Sequence, residues 1–171
     1  VISIPIGLAG DFSDKNLHVK NFNEEKIKKF DLKSKERKIY INFQKNTNNT
    51  ERELAINTLN GSELVVVSEP NLSKSSYKKD LEKFAFVLCP WGNGYDTHRI
   101  WEALYAGSIP IVKSHITFEY LENLPVLFIN DYKDLLNYDL DNFIDQFNID
   151  NFKLKKLFIQ YWISIIKSEN A

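Results

Sequence analysis

Five short stretches of the chain carry near-continuous β-branched, aromatic and aliphatic residues: Lys38–Phe43, Glu63–Ser68, Phe84–Cys89, Ile109–Val112 and Pro125–Asn130. Runs without a polar face are expected of parallel strands covered by helices on both sides. Helical spacing fills the intervals, over Thr50–Leu59, Ser75–Lys83, Asp96–Ala106 and a short stretch at Thr117–Leu121. Strand and helix therefore alternate, and parallel neighbours are joined almost only by right-handed crossovers. The pattern predicts an α/β domain over residues 37–149, a Rossmann-like, doubly wound parallel sheet.

The flanks differ. Residues 1–36 open on the apolar IPIGLAG and then turn polar, with one short helix expected over Asn23–Phe30, and they read as a lead-in from a preceding domain. At the other end Phe152, Leu154, Leu157, Phe158, Tyr161, Trp162 and Ile165 predict one long amphipathic helix over 150–168, within a closing segment 150–171. A length of 171 residues, 43% of them hydrophobic, suffices for one core. The start at Val1 and the absence of methionine suggest a piece of a longer protein.

Charge and composition narrow the function. With 22 basic and 23 acidic residues, net −1, the chain lacks the positive field that draws a protein onto nucleic acid, so no nucleic-acid partner is expected. Leu157–Ile166, the longest strongly apolar segment, is half the length of about 20 residues that a transmembrane helix needs. No transmembrane segment is expected. The single Cys89 excludes an internal disulfide and favours the cytoplasm, with a membrane-associated or Golgi-lumenal setting expected if the source is eukaryotic. As the end of a buried strand it reads as a packed hydrophobe rather than a nucleophile. His18, His98 and His115 are too scattered for a metal site.

The chemistry concentrates after the third strand. Phe84–Cys89 ends at Pro90, and Trp91-Gly92-Asn93-Gly94-Tyr95 leads to a helix near Asp96. Such a loop, between a strand's carboxyl end and a helix's amino end, is where open α/β sheets bind ligands. It is not the dinucleotide fingerprint, because position 97 is Thr97, and no Gly-Lys-Ser/Thr follows to make a P-loop. On their own the glycines fit a tight turn equally well. His98 and Arg99, however, fall in the first helical turn, against the positive end of the macrodipole, which costs stability unless an anion is near or Asp96 caps the helix. Glu102 shares their face. Arg99 could pair a diphosphate bidentately and Glu102 could accept from ribose hydroxyls; an ordinary Arg–Glu surface pair, worth under about 1 kcal/mol, is the alternative.

The run LCPWGNGYDTHRIWEALYAGSIPIV, together with IPIGLAG and YINFQKNTNNTER at Tyr40–Arg52, resembles the exostosin-like glycosyltransferases and related sugar transferases of the GT-B type. The resemblance implies the C-terminal, donor-binding half of a GT-B enzyme, with a glycan or other hydroxyl acceptor held by an N-terminal acceptor domain that this chain lacks. Carried over by residue, it implies that Gly92, Asn93, Gly94, Asp96, His98 and Arg99 surround the diphosphate and sugar of a nucleoside-diphosphate sugar, and that Glu102 meets the ribose. Asn42, Lys45 and Arg52 would face the same cleft. Arg99, Lys45, Arg52 and the helix amino end would stabilise the leaving diphosphate, in an inverting transfer without metal or other cofactor. His98 is a diphosphate or sugar contact, or a stand-in base. Trp91 departs from the family's usual basic or small residue.

Ser114, His115 and Thr117 follow the fourth strand and could touch the donor, and Tyr105 or Phe118 could stack on a base. Asp131, Asp134, Asp139, Asp141, Asp145 and Asp150 read as a solvated acidic face. Two other classes stay open: a non-catalytic sugar-nucleotide or carbohydrate-binding module of the same fold, and, disfavoured by the missing glycine, a Rossmann-type oxidoreductase.

Overall fold

The computed structural model describes residues 3–10 and 13–169. Five strands, β1 (Glu36–Ile41), β2 (Val65–Val67), β3 (Phe84–Leu88), β4 (Ile109–Lys113) and β5 (Leu127–Ile129), form one all-parallel sheet in the order β2-β1-β3-β4-β5. The helices are α1 (Glu24–Lys29), α2 (Asn49–Leu59), α3 (Lys74–Lys83), α4 (His98–Tyr105), α5 (Leu140–Gln146) and α6 (Ile159–Glu169). All five residues of β3 are buried, as expected of a strand with neighbours on both edges and helices on both faces.

Register shows that both faces are covered. Tyr40 pairs with Val87 and Ile39 with Phe86, so the two pairs point to opposite sides of the sheet. On one side the Tyr40 hydroxyl donates to Asp80 of α3 at 2.9 Å. On the other, Phe86 meets Phe143 of α5 edge-on, with centroids 5.4 Å apart. The fold is a Rossmann-like, doubly wound α/β sheet. Because β1 lies between β2 and β3, the crossovers leave it in opposite directions and open a crevice at the carboxyl ends of β1 and β3.

Residues before β1 share the core: Leu17, Ile27, Phe30 and Leu32 are each at most 2% exposed. Lys35 then ties the helices together. Its ammonium donates to the carbonyls of Leu81, Glu82 and Ala106 and to the Ser108 hydroxyl, meeting the negative, carbonyl-bearing ends of α3 and α4. At the end of α4 the chain reverses through Gly107, whose φ of +71° an L side chain rarely adopts.

The carboxyl end departs from the single helix expected over 150–168. It forms 3-10 turns at Ile149–Asn151 and Leu154–Leu157, and only then α6. Tertiary contacts explain the breaks. Phe152 stacks on Phe147 at 5.3 Å, the Lys153 amide donates to the Asn123 carbonyl at 2.7 Å, and the Lys156 ammonium reaches the carbonyls of Tyr120 and Glu122. A continuous helix cannot make all of these. The acidic segment also does more than face solvent. Asp131 and Asp139 cap the turn Tyr132–Asn137 and α5, while Asp141 and Asp145 pair with Arg37 at 2.9 and 3.1 Å. No helix among the described residues is long and apolar enough to cross a membrane.

Replacing Lys35 with methionine keeps the stem and removes the ammonium from three helix-end carbonyls. The expected loss is about 2 kcal/mol, read as a lower midpoint in urea. An unchanged midpoint would mean that water serves those carbonyls equally well.

Candidate functional site

The amino end of α4 is bare. Thr97 holds the N-cap position without accepting a hydrogen bond from the first turn, and that turn contains no acidic residue. The expected cap, Asp96, is engaged elsewhere: one carboxylate oxygen accepts from the Trp101 indole at 2.9 Å and the other from the Ile6 amide at 2.8 Å. Three buried side-chain polar atoms lack a hydrogen-bond partner among the described residues, Trp91 Nε1, Thr97 Oγ1 and Arg99 Nε. All three fall in this loop and helix start. Orphaned groups of this kind are uncommon in native folds, and each calls for an explanation.

Beside this end lies a cleft of about 670 Å³ at the crevice between β1 and β3. Asn42 and Phe43 reach it from the end of β1, Arg52 from α2, Gly92, Asn93 and Gly94 from the loop after β3, and Asp96, His98, Arg99 and Glu102 from the start of α4. The sheet topology thus brings together residues up to sixty positions apart in sequence.

Two guanidinium groups dominate its electrostatics. Arg52 is 6% exposed, and its Nε donates to the Trp91 carbonyl at 3.1 Å while Nη1 donates to the Gln44 carbonyl. Burial, with the nearby charge of Arg99, pushes its pKa down to about 10. The Arg99 guanidinium lies 5.9 Å from the Phe43 ring centroid and 6.0 Å from that of Tyr77. Burial opposes its charge as well, but Tyr77 and Glu102 more than offset that and hold its pKa above the usual value. Neither arginine has an ion pair with a carboxylate among the described residues.

The other polar groups are held by the protein. Glu102, 2% exposed, accepts from the Leu17 amide at 3.0 Å and from the Tyr77 hydroxyl at 2.9 Å; each carboxylate oxygen keeps a second lone pair. His98 Nδ1 donates to the Gly7 carbonyl at 2.8 Å, which in the neutral ring leaves Nε2 as an acceptor. Asn42 donates to the Glu69 carbonyl at 2.8 Å. Asp96, His98 and Glu102 thereby all grip the backbone of the opening segment, which also contributes Ile6, Lys15 and Asn16 to the cleft.

The family model for the RXYLT1 C-terminal domain matches residues 20–143, a span that includes the bare helix end and the cleft residues from Asn42 to Glu102. The chain belongs to this family of exostosin-like glycosyltransferases. A comparison with curated proteins found no match.

Within this family member, some expected placements need correction. Lys45 does not line the cleft: after Gln44 the chain enters a 3-10 turn, Lys45–Thr47, in which Lys45 is exposed. Tyr105 is 8% exposed and its hydroxyl donates to the Leu157 carbonyl, so it cannot stack on a base in the cleft. Trp91 turns away from the cleft and meets Tyr95 and His115 edge-on. Ser114 and His115 line a separate depression. Cys89 is fully buried, and burial pushes its thiol pKa up, away from nucleophilic use.

Lys74 and Tyr77, at the start of α3, line the cleft but were not singled out from sequence. Lys74 carried a usable signal, since it opens a helix from the position that a cation ordinarily avoids. Tyr77 carried none; only the crossover from β2 brings it beside Glu102.

Gly92 and Gly94 should separate on substitution. A Cβ at Gly92 would lie 2.9 Å from Nη2 of Arg52, whereas one at Gly94 meets only the Asp96 carbonyl at 3.9 Å. Gly92→Ala is expected to cost about 1–2 kcal/mol and Gly94→Ala under about 0.5 kcal/mol, measured by thermal melting. Equal effects would show that Arg52 yields freely.

Proposed function

We propose that this chain is the donor-binding half of a GT-B glycosyltransferase, holding a nucleoside-diphosphate sugar in the crevice between β1 and β3. The observation that carries this reading is the bare amino end of α4 beside Arg52 and Arg99, two cations in one cleft whose nearby carboxylate is Glu102, with no direct ion pair to either among the described residues. A diphosphate would supply the negative charge that this arrangement lacks. As the glycosidic bond breaks, charge gathers on the leaving diphosphate. Groups already aimed at that position then stabilise it without reorganisation.

Arg99 and the α4 amides are assigned to the diphosphate and Arg52 to its far side, with Lys74 as a further cation at the rim. Glu102 meets the ribose hydroxyls with its remaining lone pairs. His98, fixed through Nδ1, presents Nε2 to the sugar or diphosphate. The transfer is assigned as inverting and independent of metal and other cofactors, with the base and most of the acceptor contacts supplied by a partner acceptor domain. A binding module of the same fold that has lost the chemistry would share the ligand and differ in turnover.

A thermal-shift and calorimetric screen against UDP, GDP, CDP, ADP and NAD tests the assignment, because a ligand that binds only the native state raises its melting temperature. One nucleoside diphosphate is expected to stabilise the chain selectively, and Arg99→Ala to weaken it at least about tenfold through loss of a charge-assisted contact. Unchanged affinity in that variant would remove Arg99 from the site, and stabilisation by NAD alone would favour an oxidoreductase.

A further inference from the structure

Two carboxylates line the cleft, Asp96 and Glu102, and each of their oxygens accepts from an uncharged group. Asp96 is held by the Trp101 indole and the Ile6 amide, at 2.9 and 2.8 Å, and Glu102 by the Leu17 amide and the Tyr77 hydroxyl, at 3.0 and 2.9 Å. Neither arginine of the cleft receives them. No ion pair joins Arg52 or Arg99 to a carboxylate among the described residues, and Arg99 Nε is without a hydrogen-bond partner there.

Sequence spacing alone would produce the opposite. Glu102 follows Arg99 by one turn on the same face of α4, the spacing at which a carboxylate and a guanidinium ordinarily pair. Burial strengthens that attraction, because water competes weakly for either charge, and Glu102 is buried. A closed Arg99–Glu102 pair would occupy the N–H groups that an anionic ligand needs, and the ligand would first have to break it. For Arg99 to stay open, Glu102 has to be held by something else.

Tyr77 of α3 does this from a helix packed on β1 and β3. A phenol is protonated at neutral pH, and burial pushes this one well above its ordinary pKa, so its hydroxyl remains a donor to Glu102. Its ring centroid lies 6.0 Å from the Arg99 guanidinium carbon and 6.5 Å from the centroid of Tyr40, whose own hydroxyl is tied to Asp80 one turn further along α3. The ring flanks the cation while the hydroxyl engages the carboxylate. Leu17 holds the other oxygen, but only by the backbone of the opening segment.

We propose that Tyr77 is a positioning residue: its hydroxyl holds Glu102 off Arg99, so that the guanidinium stays open to a diphosphate instead of closing on the carboxylate one helical turn away. Its effect on binding rests on the diphosphate assignment above; its effect on the Arg99–Glu102 pair does not.

A double-mutant cycle read by calorimetry tests this, with UDP, GDP, CDP and ADP as probes. Tyr77→Phe keeps the ring beside Arg99 and removes only the hydroxyl. It is expected to weaken the nucleoside diphosphate that the wild type binds by at least about fivefold, but by less than about twofold when Glu102→Gln is already present, because a neutral amide does not capture Arg99. Tyr77→Met, which also lacks the hydroxyl, runs the same cycle if Tyr77→Phe does not fold. An equal loss in both backgrounds would make Tyr77 a packing residue and overturn the proposal, as would no loss in either. NMR of the ligand-free chain reads the pair directly, since only Arg37, Arg52 and Arg99 contribute arginine Nε–H resonances. The Arg99 resonance should move in Tyr77→Phe and return in Tyr77→Phe/Glu102→Gln; one that stays in place also overturns the proposal. Movement of that resonance in a protein whose wild type binds no nucleoside diphosphate overturns the diphosphate assignment and leaves the positioning contact standing.

Discussion

Arg52 and Arg99 enter one crevice with no direct ion pair to either among the described residues and with Glu102 as the carboxylate that supports Arg99, and much of the surrounding structure manages the remaining charge. Moving a guanidinium out of water is costly unless its donors are met. The protein meets only some of them. Arg52 is satisfied through the carbonyls of Trp91 and Gln44, at the ends of the two strands that define the crevice, and it can sit there because Gly92 has no side chain. Arg99 rests between aromatic rings with its Nε unpartnered. The remaining imbalance is concentrated at the uncapped start of α4.

That imbalance is possible because the rest of the fold is locally consistent. α2 and α3 have side-chain caps from Asn48 and Ser73, Lys35 binds the carbonyl ends of α3 and α4, and Gly107 supplies the left-handed turn into β4. The amino ends of α2, α3 and α5 are capped by side chains, and α4 is the contrast. Local conflict inside an otherwise consistent fold is what a ligand site is expected to look like.

Much of the scaffold was legible from hydrophobic periodicity, because a parallel sheet buried on both faces leaves continuous apolar runs. The five strands lie within two residues of their expected bounds at every end, and α2 and α3 begin one residue early. Periodicity misled after residue 150, where the contacts of Phe152, Lys153 and Lys156 override the helical pattern. The loop after β3 was legible because its conflict, cations at a helix start, is local in sequence. Lys74, Tyr77 and the opening segment came into view only in three dimensions. Their nearness to Glu102 and His98 depends on crossover geometry and on backbone hydrogen bonds, which leave no pattern in side-chain identity.

The central claim is that the crevice recognises a diphosphate through charge rather than a nucleoside through shape. Calorimetry comparing a nucleoside diphosphate with its parent nucleoside on the same chain isolates that contribution. Two charge-assisted contacts and a helix amino end are expected to make the diphosphate bind at least about a hundredfold more tightly, with the difference shrinking as salt rises. Equal affinities, insensitive to salt, would contradict it.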